Sequence, residues 1–262
     1  MTANQLRGGA TLRAASVQSV QTYARIAGVL FLVSLVVGGF GEAYAPSRIV
    51  VPGDASATAH NLLASDLLFR LGFLAYLAEA VCDVALTLLL YVLLRPVQAN
   101  LALLAVFFRL LGTATFAFGE LFYFAASLIL GGEGYLTTFS PDQRNVLALL
   151  SINLYYAAFN LFTIFGVASI LLGYLMARLG YLPRVLGALW VLGGLGFVTN
   201  SVVFVLAPAS VSSLLLVPNG LAVLSLGLWL LVKGVDVTKW NERGAVVEYG
   251  SVPSEHTMSP AL

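Results

Sequence analysis

Long uncharged runs of apolar residues, parted by short polar stretches, organise this chain. Residues 26–41 carry no charge and, with Tyr23 and Ala24, predict a short first span. Residues 69–94 predict a second, interrupted by Glu79 and Asp83, and residues 96–129 a third, containing Arg109 and Glu120. Residues 146–177 are uncharged throughout and predict a fourth. Residues 185–232 are also uncharged, and this run is about twice the roughly 20 residues that one span needs. It must therefore fold back on itself. Polar and helix-breaking residues gather there only at Ala207, Pro208, Ala209, Ser210, Val211, Ser212 and Ser213, which predicts the turn. Six helices result. A β-barrel is excluded, because its strands alternate in polarity rather than running apolar for twenty residues or more.

Local signals sharpen the boundaries. Pro96 and Pro183 stand where the first residues of helices three and five are predicted, a position whose N–H has no partner in any case. Ser140-Pro141-Asp142-Gln143 reads as a capping box, with Ser140 as the cap and Gln143 reaching back. Pro52-Gly53-Asp54 predicts a turn and cap opening an outer helix at about residues 55–68 that runs into span two. Pro218-Asn219-Gly220 predicts a kink in span six. Ala43-Tyr44-Ala45 resembles a cleavage site, but the segment before it is long and Pro46 follows it, so retention is expected.

Composition agrees with this pattern and removes the alternatives. Hydrophobic residues make up 60% of the 262 residues and charged ones 10%, against about 45–50% and about 25% in soluble domains. Thirteen basic residues balance twelve acidic ones with no basic block, which argues against nucleic-acid binding. One cysteine excludes an internal disulfide, and two histidines leave little for a metal site. No cofactor and no metal is expected.

Lys and Arg positions set the orientation. Arg7, Arg13, Arg25, Arg95, Arg178, Arg184, Lys233, Lys239 and Arg243 fall on one side, and only Arg48 and Arg144 on the other. Both termini are expected to be cytoplasmic. The expected layout is a cytoplasmic segment at 1–21, a six-helix membrane domain at 22–234 and a disordered cytoplasmic tail at 235–262. Tyr181 and Trp240 are expected in the interfacial aromatic belt.

Charges inside the spans cost the most and so carry the most information, about 2.5–3.5 kcal/mol each at a helix centre. Spans two and three form a hairpin turning near Arg95-Pro96, so residues at equal depth have numbers summing to about 191. Asp83 and Arg109 match on this rule, and so do Arg70 and Glu120. At about 100° per residue, Arg109 and Glu120 share one face of span three, and Glu79 and Asp83 one face of span two. Arg70 lies about 140° around from Asp83. Asp83–Arg109 is the first expected pair and Arg70–Glu120 the second, with Asp66 the rival partner of Arg70. One carboxylate remains without a cation, and Glu79 is expected to be that one.

Asn153, Tyr156, Asn160 and Thr163 recur at spacings of three and four and form a stripe on span four. Asn153, Tyr156 and Asn160, together with Asn200, Asn219, Glu120 and Tyr123, are expected to converge on an outward-facing polar chamber, with Glu79, Asp83 and Arg109 as its floor. The competing reading is that these groups serve only as hydrogen-bonding glue between helices. Ser169, Gly173 and Ala177, and the glycines at 193, 194 and 196, read as close-packing positions. Cys82 and His60 read as a small apolar and a solvated residue, and His256 lies in the tail.

Arg25-Ile26-Ala27-Gly28, Leu68-Phe69-Arg70-Leu71-Gly72, Tyr91-Val92-Leu93-Leu94-Arg95-Pro96 and Arg109-Leu110 give the chain a resemblance to a prokaryotic family of multi-span membrane proteins. That family is known as a domain of unknown function (DUF4386), and the similarity covers residues 25–233. It implies a bacterial inner-membrane protein and no activity.

Three functions are expected in descending order. The first is a non-enzymatic protein that binds or transports a small solute or amphiphile, with Glu79 as a proton site. Next comes a structural or regulatory membrane protein whose partner docks on the cytoplasmic loops. A lipid-modifying enzyme is last, since no nucleophile motif, phosphate loop or His-Glu-x-x-His pair is present. The expected partners are the lipid bilayer and a small-molecule or lipid ligand.

Overall fold

The computed structural model describes residues 3–132 and 134–250, with side chains placed from Ser19 to Arg243 apart from Glu133 and Tyr135. Among the described residues all regular structure is helical. Helix α1 (Ala3–Gly38) continues through a π-helical turn (Gly39–Tyr44) into α2 (Ala45–Ile49). Then come α3 (Ala55–Ala64), α4 (Asp66–Leu94), α5 (Ala99–Gly131), α6 (Pro141–Asn160), α7 (Thr163–Leu179), α8 (Arg184–Leu206), α9 (Val217–Val232) and α10 (Val237–Gly250).

Six segments are long and apolar enough to cross a membrane: Ser19–Ile49, Asp66–Leu94, Ala99–Gly131, Pro141–Leu179, Arg184–Leu206 and Ser213–Val232. Their outer faces are those of lipid-exposed helices. Val36, Val81 and Val232 are 69–71% exposed. Each span packs on the next, α1 on α4, α4 on α5, α5 on α6 and α7, α7 on α8 and α8 on α9, and α9 closes back on α1. The result is a closed ring. Two buried clusters fill it. One, with Phe31, Leu86, Leu90, Leu175, Trp190 and Leu226, occupies the end at which span one begins and span six finishes. The other, with Phe69, Tyr76, Phe116, Tyr123, Ile152 and Phe197, occupies the far end.

The boundaries follow local chemistry. The Ser140 hydroxyl accepts from the Gln143 N–H, and the Gln143 side chain accepts from the Ser140 N–H, completing the expected box. Asp54 caps α3 by accepting from the Ala57 N–H at 2.9 Å. Helix α3 stops at Ser65 rather than running into span two. The turn between spans five and six lies where expected, from Ala207 through two short 3-10 turns.

Several elements differ from expectation. Span one runs to Ile49 because Pro46 does not end it. A proline ring collides with the carbonyl four residues back in an α-helix, here that of Glu42, and the wider π turn relieves this. Pro96 lies in the turn before α5, which starts at Ala99, and Pro183 is the cap of α8 rather than its first residue. Pro218 sits in the first turn of α9, where no intrahelical bond is lost, so span six has no proline kink. Span four breaks instead at Leu161-Phe162. Asn160 donates its side chain to the Tyr156 carbonyl at 2.8 Å, and the Leu161 N–H is shared between two carbonyls. Asn200 bonds the Asn160 side-chain oxygen at 2.9 Å and fixes the break. The segment expected to be disordered contains α10, capped by Asp236, with Trp240 packed on the buried cluster. Residues 251–262 of that tail, and residues 1–2 of the N-terminal segment, lie outside the described residues. Tyr181 is 5% exposed and packs inside the protein. Its hydroxyl donates to the Leu93 carbonyl and ties the loop between spans four and five to the last turn of α4, and burial pushes the phenol's pKa up so that it keeps its proton.

Candidate functional site

The centre of the ring is an ion pair. Arg109, 3% exposed, donates through Nη2 to Oδ1 of Asp83 and through Nε to the Thr87 hydroxyl at 3.0 Å. Thr113, one turn along α5, brings its hydroxyl to Oδ2 of Asp83. The depth rule therefore holds for this pair, and it extends along the hairpin. Phe69 stacks on Tyr123 at 4.5 Å and Tyr76 meets Phe116 at 6.3 Å, both sums being 192. The guanidinium lies over the rings of Phe165 (5.0 Å) and Trp190 (5.9 Å). Its Nη1 has no hydrogen-bond partner.

Beside the pair lies a cavity of about 370 Å³, lined from all six spans at the junction of the two buried clusters. The break in span four turns Phe159, Phe162 and Phe165 toward it, and Phe116, Phe197 and Trp190 complete an aromatic wall. Phe162 and Phe165 stack at 4.7 Å. The polar lining is Ser34, Glu42, Glu79, Asp83, Arg109, Thr113 and Asn219. Four polar atoms of these lining residues are buried without a partner among the described residues: Arg109 Nη1, Trp190 Nε1, Glu79 Oε2 and Asn219 Oδ1.

Glu79 lies one turn from Asp83 on α4. Arg109 does not bridge the two carboxylates, since its only ion-pair partner among the described residues is Asp83. The Glu79 carboxyl packs against Gly38 of α1, within reach of the Ser34 hydroxyl. Glu42 projects from the π turn and interacts electrostatically with Glu79 and Glu120.

Of the residues expected in the chamber, Glu79, Asp83, Arg109 and Asn219 line the cavity. The others do not. Glu120 is fully buried, and neither of its carboxyl oxygens has a partner among the described residues. The pairing with Arg70 is absent: Arg70 bonds Asp66 at 2.7 Å on the exposed surface. The 140° offset from Asp83 points Arg70 away from span three, and the acid one turn back captures it. Asn153 is exposed on the outside of the bundle. Tyr156 packs on Tyr155 at 5.3 Å in a tyrosine cluster with Tyr76 and Tyr123. Asn160 and Asn200 bond each other at the break in span four. Asn153, Tyr156 and Asn160 all precede that break on α6, whose buried face runs through Ala148, Ile152 and Tyr155, so the stripe lies beside that face rather than on it. Glu42 is the residue that the sequence pattern passed over. Its signal was Pro46 four residues on, in a segment that stays helical.

Small residues take the close-packing role expected of them. A Cβ on Gly173 would lie 2.6 Å from the Gly187 carbonyl, and one on Gly194 would lie 2.5 Å from that of Gly166. Gly193 meets the backbone of Asn219 and thereby sets the height of that amide in the cavity.

The family model described as a domain of unknown function (DUF4386) matches residues 26–234, and the chain belongs to that family. No curated protein and no solved structure matches it.

Proposed function

We propose that this multi-pass membrane protein binds a small solute or amphiphile in its central cavity and moves or presents it without chemical conversion. One observation carries the reading: an aromatic cavity of about 370 Å³ whose lining residues include four with a buried polar atom that no described protein group satisfies. Ligand sites combine apolar walls with a few converging polar groups at about 300–1,000 Å³. A bundle built only for packing pairs its polar atoms or leaves them out, because each unmatched one costs about 1–3 kcal/mol. In this reading the chain lies in a bacterial inner membrane with both termini cytoplasmic, as the Lys and Arg distribution favours.

The test is native mass spectrometry of the full chain released from nanodiscs. A bound lipid or metabolite should be present in the wild type and lost in Gly220→Phe, where a new side chain starts in open space on the cavity lining. Wild-type protein that carries nothing and differs in no way from the blocked variant sinks the reading.

A second reading is favoured by Ser34, whose hydroxyl stands beside the Glu79 carboxyl as a nucleophile beside a base would. Turnover of a p-nitrophenyl acyl ester that Ser34→Ala abolishes would establish a lipid-modifying enzyme in its place.

A further inference from the structure

The cavity's polar groups fall into two sets of opposite demand. Glu79 presents an unpartnered acceptor, and Glu42 adds a second carboxyl to the same lining. Glu120 lies within electrostatic reach of both. Among the described residues the only cation on this lining is Arg109, whose ion-pair partner is Asp83. In the other set, Arg109 Nη1 and Trp190 Nε1 are donors without acceptors, on side chains 3% and 1% exposed. The rings of Phe116, Phe162, Phe165 and Phe197 belong to the same lining. No three His, Cys, Asp or Glu side chains converge as a metal set among the described residues.

Resting on the binding role proposed above, we infer that the ligand is a lipophilic organic amine that also carries a hydrogen-bond acceptor. Its ammonium lies at the Glu79 and Glu42 carboxyls, where it supplies the missing positive charge. Its apolar body lies against the phenylalanines, whose ring faces attract a cation as well as burying hydrocarbon. Its acceptor, a carbonyl or carboxylate oxygen, lies at Arg109 Nη1 and Trp190 Nε1. A site whose buried groups demand hydrogen bonds rejects molecules that leave them unmade, so analogues of the amine that carry an acylated nitrogen or a carboxylate in place of the ammonium do not compete with it.

Equilibrium binding to the full chain in nanodiscs, with empty nanodiscs subtracted, tests this with radiolabelled L-phenylalanine methyl ester. The competitors are phenethylamine, N-acetyl-L-phenylalanine methyl ester and 3-phenylpropanoate, and 1-naphthol is a separate neutral probe of cavity occupancy. The ester is expected to bind tightest, phenethylamine about tenfold weaker for want of the acceptor, and the other two competitors not at all. Glu79→Gln and Glu42→Gln should each weaken the ester at least about tenfold while 1-naphthol still binds. Arg70→Gln, outside the cavity, should change neither. If the neutral or anionic competitors displace the ester as well as phenethylamine does, or if both Gln variants bind it as wild type does, the amine assignment is overturned. Binding of 1-naphthol that Gly220→Phe abolishes would in that case leave the cavity itself a ligand site. If no probe binds in a manner sensitive to Gly220→Phe, the amine assignment and the binding role fall together.

Discussion

Gly38 of span one and Glu79 of span two meet so closely that a Cβ at position 38 would lie 2.7 Å from Glu79 Oε2. The obstructing atoms belong to the end of a flexible side chain, so the backbone need not move. Gly38→Ala should therefore fold with a wild-type melting temperature and weaken L-phenylalanine methyl ester about tenfold, because the carboxyl is pushed off its position. Thermal unfolding in detergent and the nanodisc binding assay read the two effects separately. A variant that loses stability and binding in parallel would mean that Gly38 is a packing position only.

Asp83 and Arg109 should behave as a unit. Removing one member strands the other in a low-dielectric interior, at about 3–5 kcal/mol. Asp83→Asn and Arg109→Leu are each expected to lower the unfolding midpoint sharply. The double variant Asp83→Leu/Arg109→Leu should cost less than the sum of the two single changes to leucine, since no charge is then left unpaired. Strict additivity in that cycle would show that the pair is not coupled.

Glu120 and Arg70 should show no coupling at all. Glu120 is buried with neither oxygen partnered among the described residues, so Glu120→Gln removes a group that must otherwise be held neutral, and stability should be equal or higher. Arg70 pairs with Asp66 on the exposed surface, where such pairs contribute little, and Arg70→Gln should leave the unfolding curve unchanged. A cycle between positions 70 and 120 that deviates from additivity would contradict the geometry.

The contrast between these two pairs marks what the sequence could reveal. Depth in a hairpin follows from counting residues away from its turn, and that was enough for Asp83–Arg109. Facing depends on the angle around the helix, which put Arg70 140° away from Asp83 and had more weight than matched depth. The number of spans was legible because apolar runs of this length have no other use. Glu42 and the aromatic wall were not, because both depend on where a helix departs from 3.6 residues per turn. Pro46 and Asn160 are the residues that cause those departures, through a ring-carbonyl clash and a side chain bonded back to its own helix. Neither effect shows in hydrophobic periodicity.

The crossing of α7 and α8 offers a test of how the site is held. A Cβ at Gly173 would lie 2.6 Å from the Gly187 carbonyl and 2.7 Å from the Val191 N, and one at Gly187 would meet the Ala177 N at 2.6 Å. These obstacles are backbone, which cannot rotate aside, so Gly173→Ala and Gly187→Ala should each cost about 1–3 kcal/mol. Gly220→Ala, with nothing within 4 Å, should cost far less. The two crossing variants relieve the same contact by the same separation of helices, so their double variant should cost less than the sum. Phe165 on α7 and Trp190 on α8 lie over the Arg109 guanidinium, and spreading the helices loosens both. Fluorescence of the Trp190 indole, isolated by replacing Trp229 and Trp240 with Phe, should shift to longer wavelength in Gly173→Ala as water gains access. An unshifted spectrum together with the stability loss would mean that the crossing supports the fold without positioning the guanidinium.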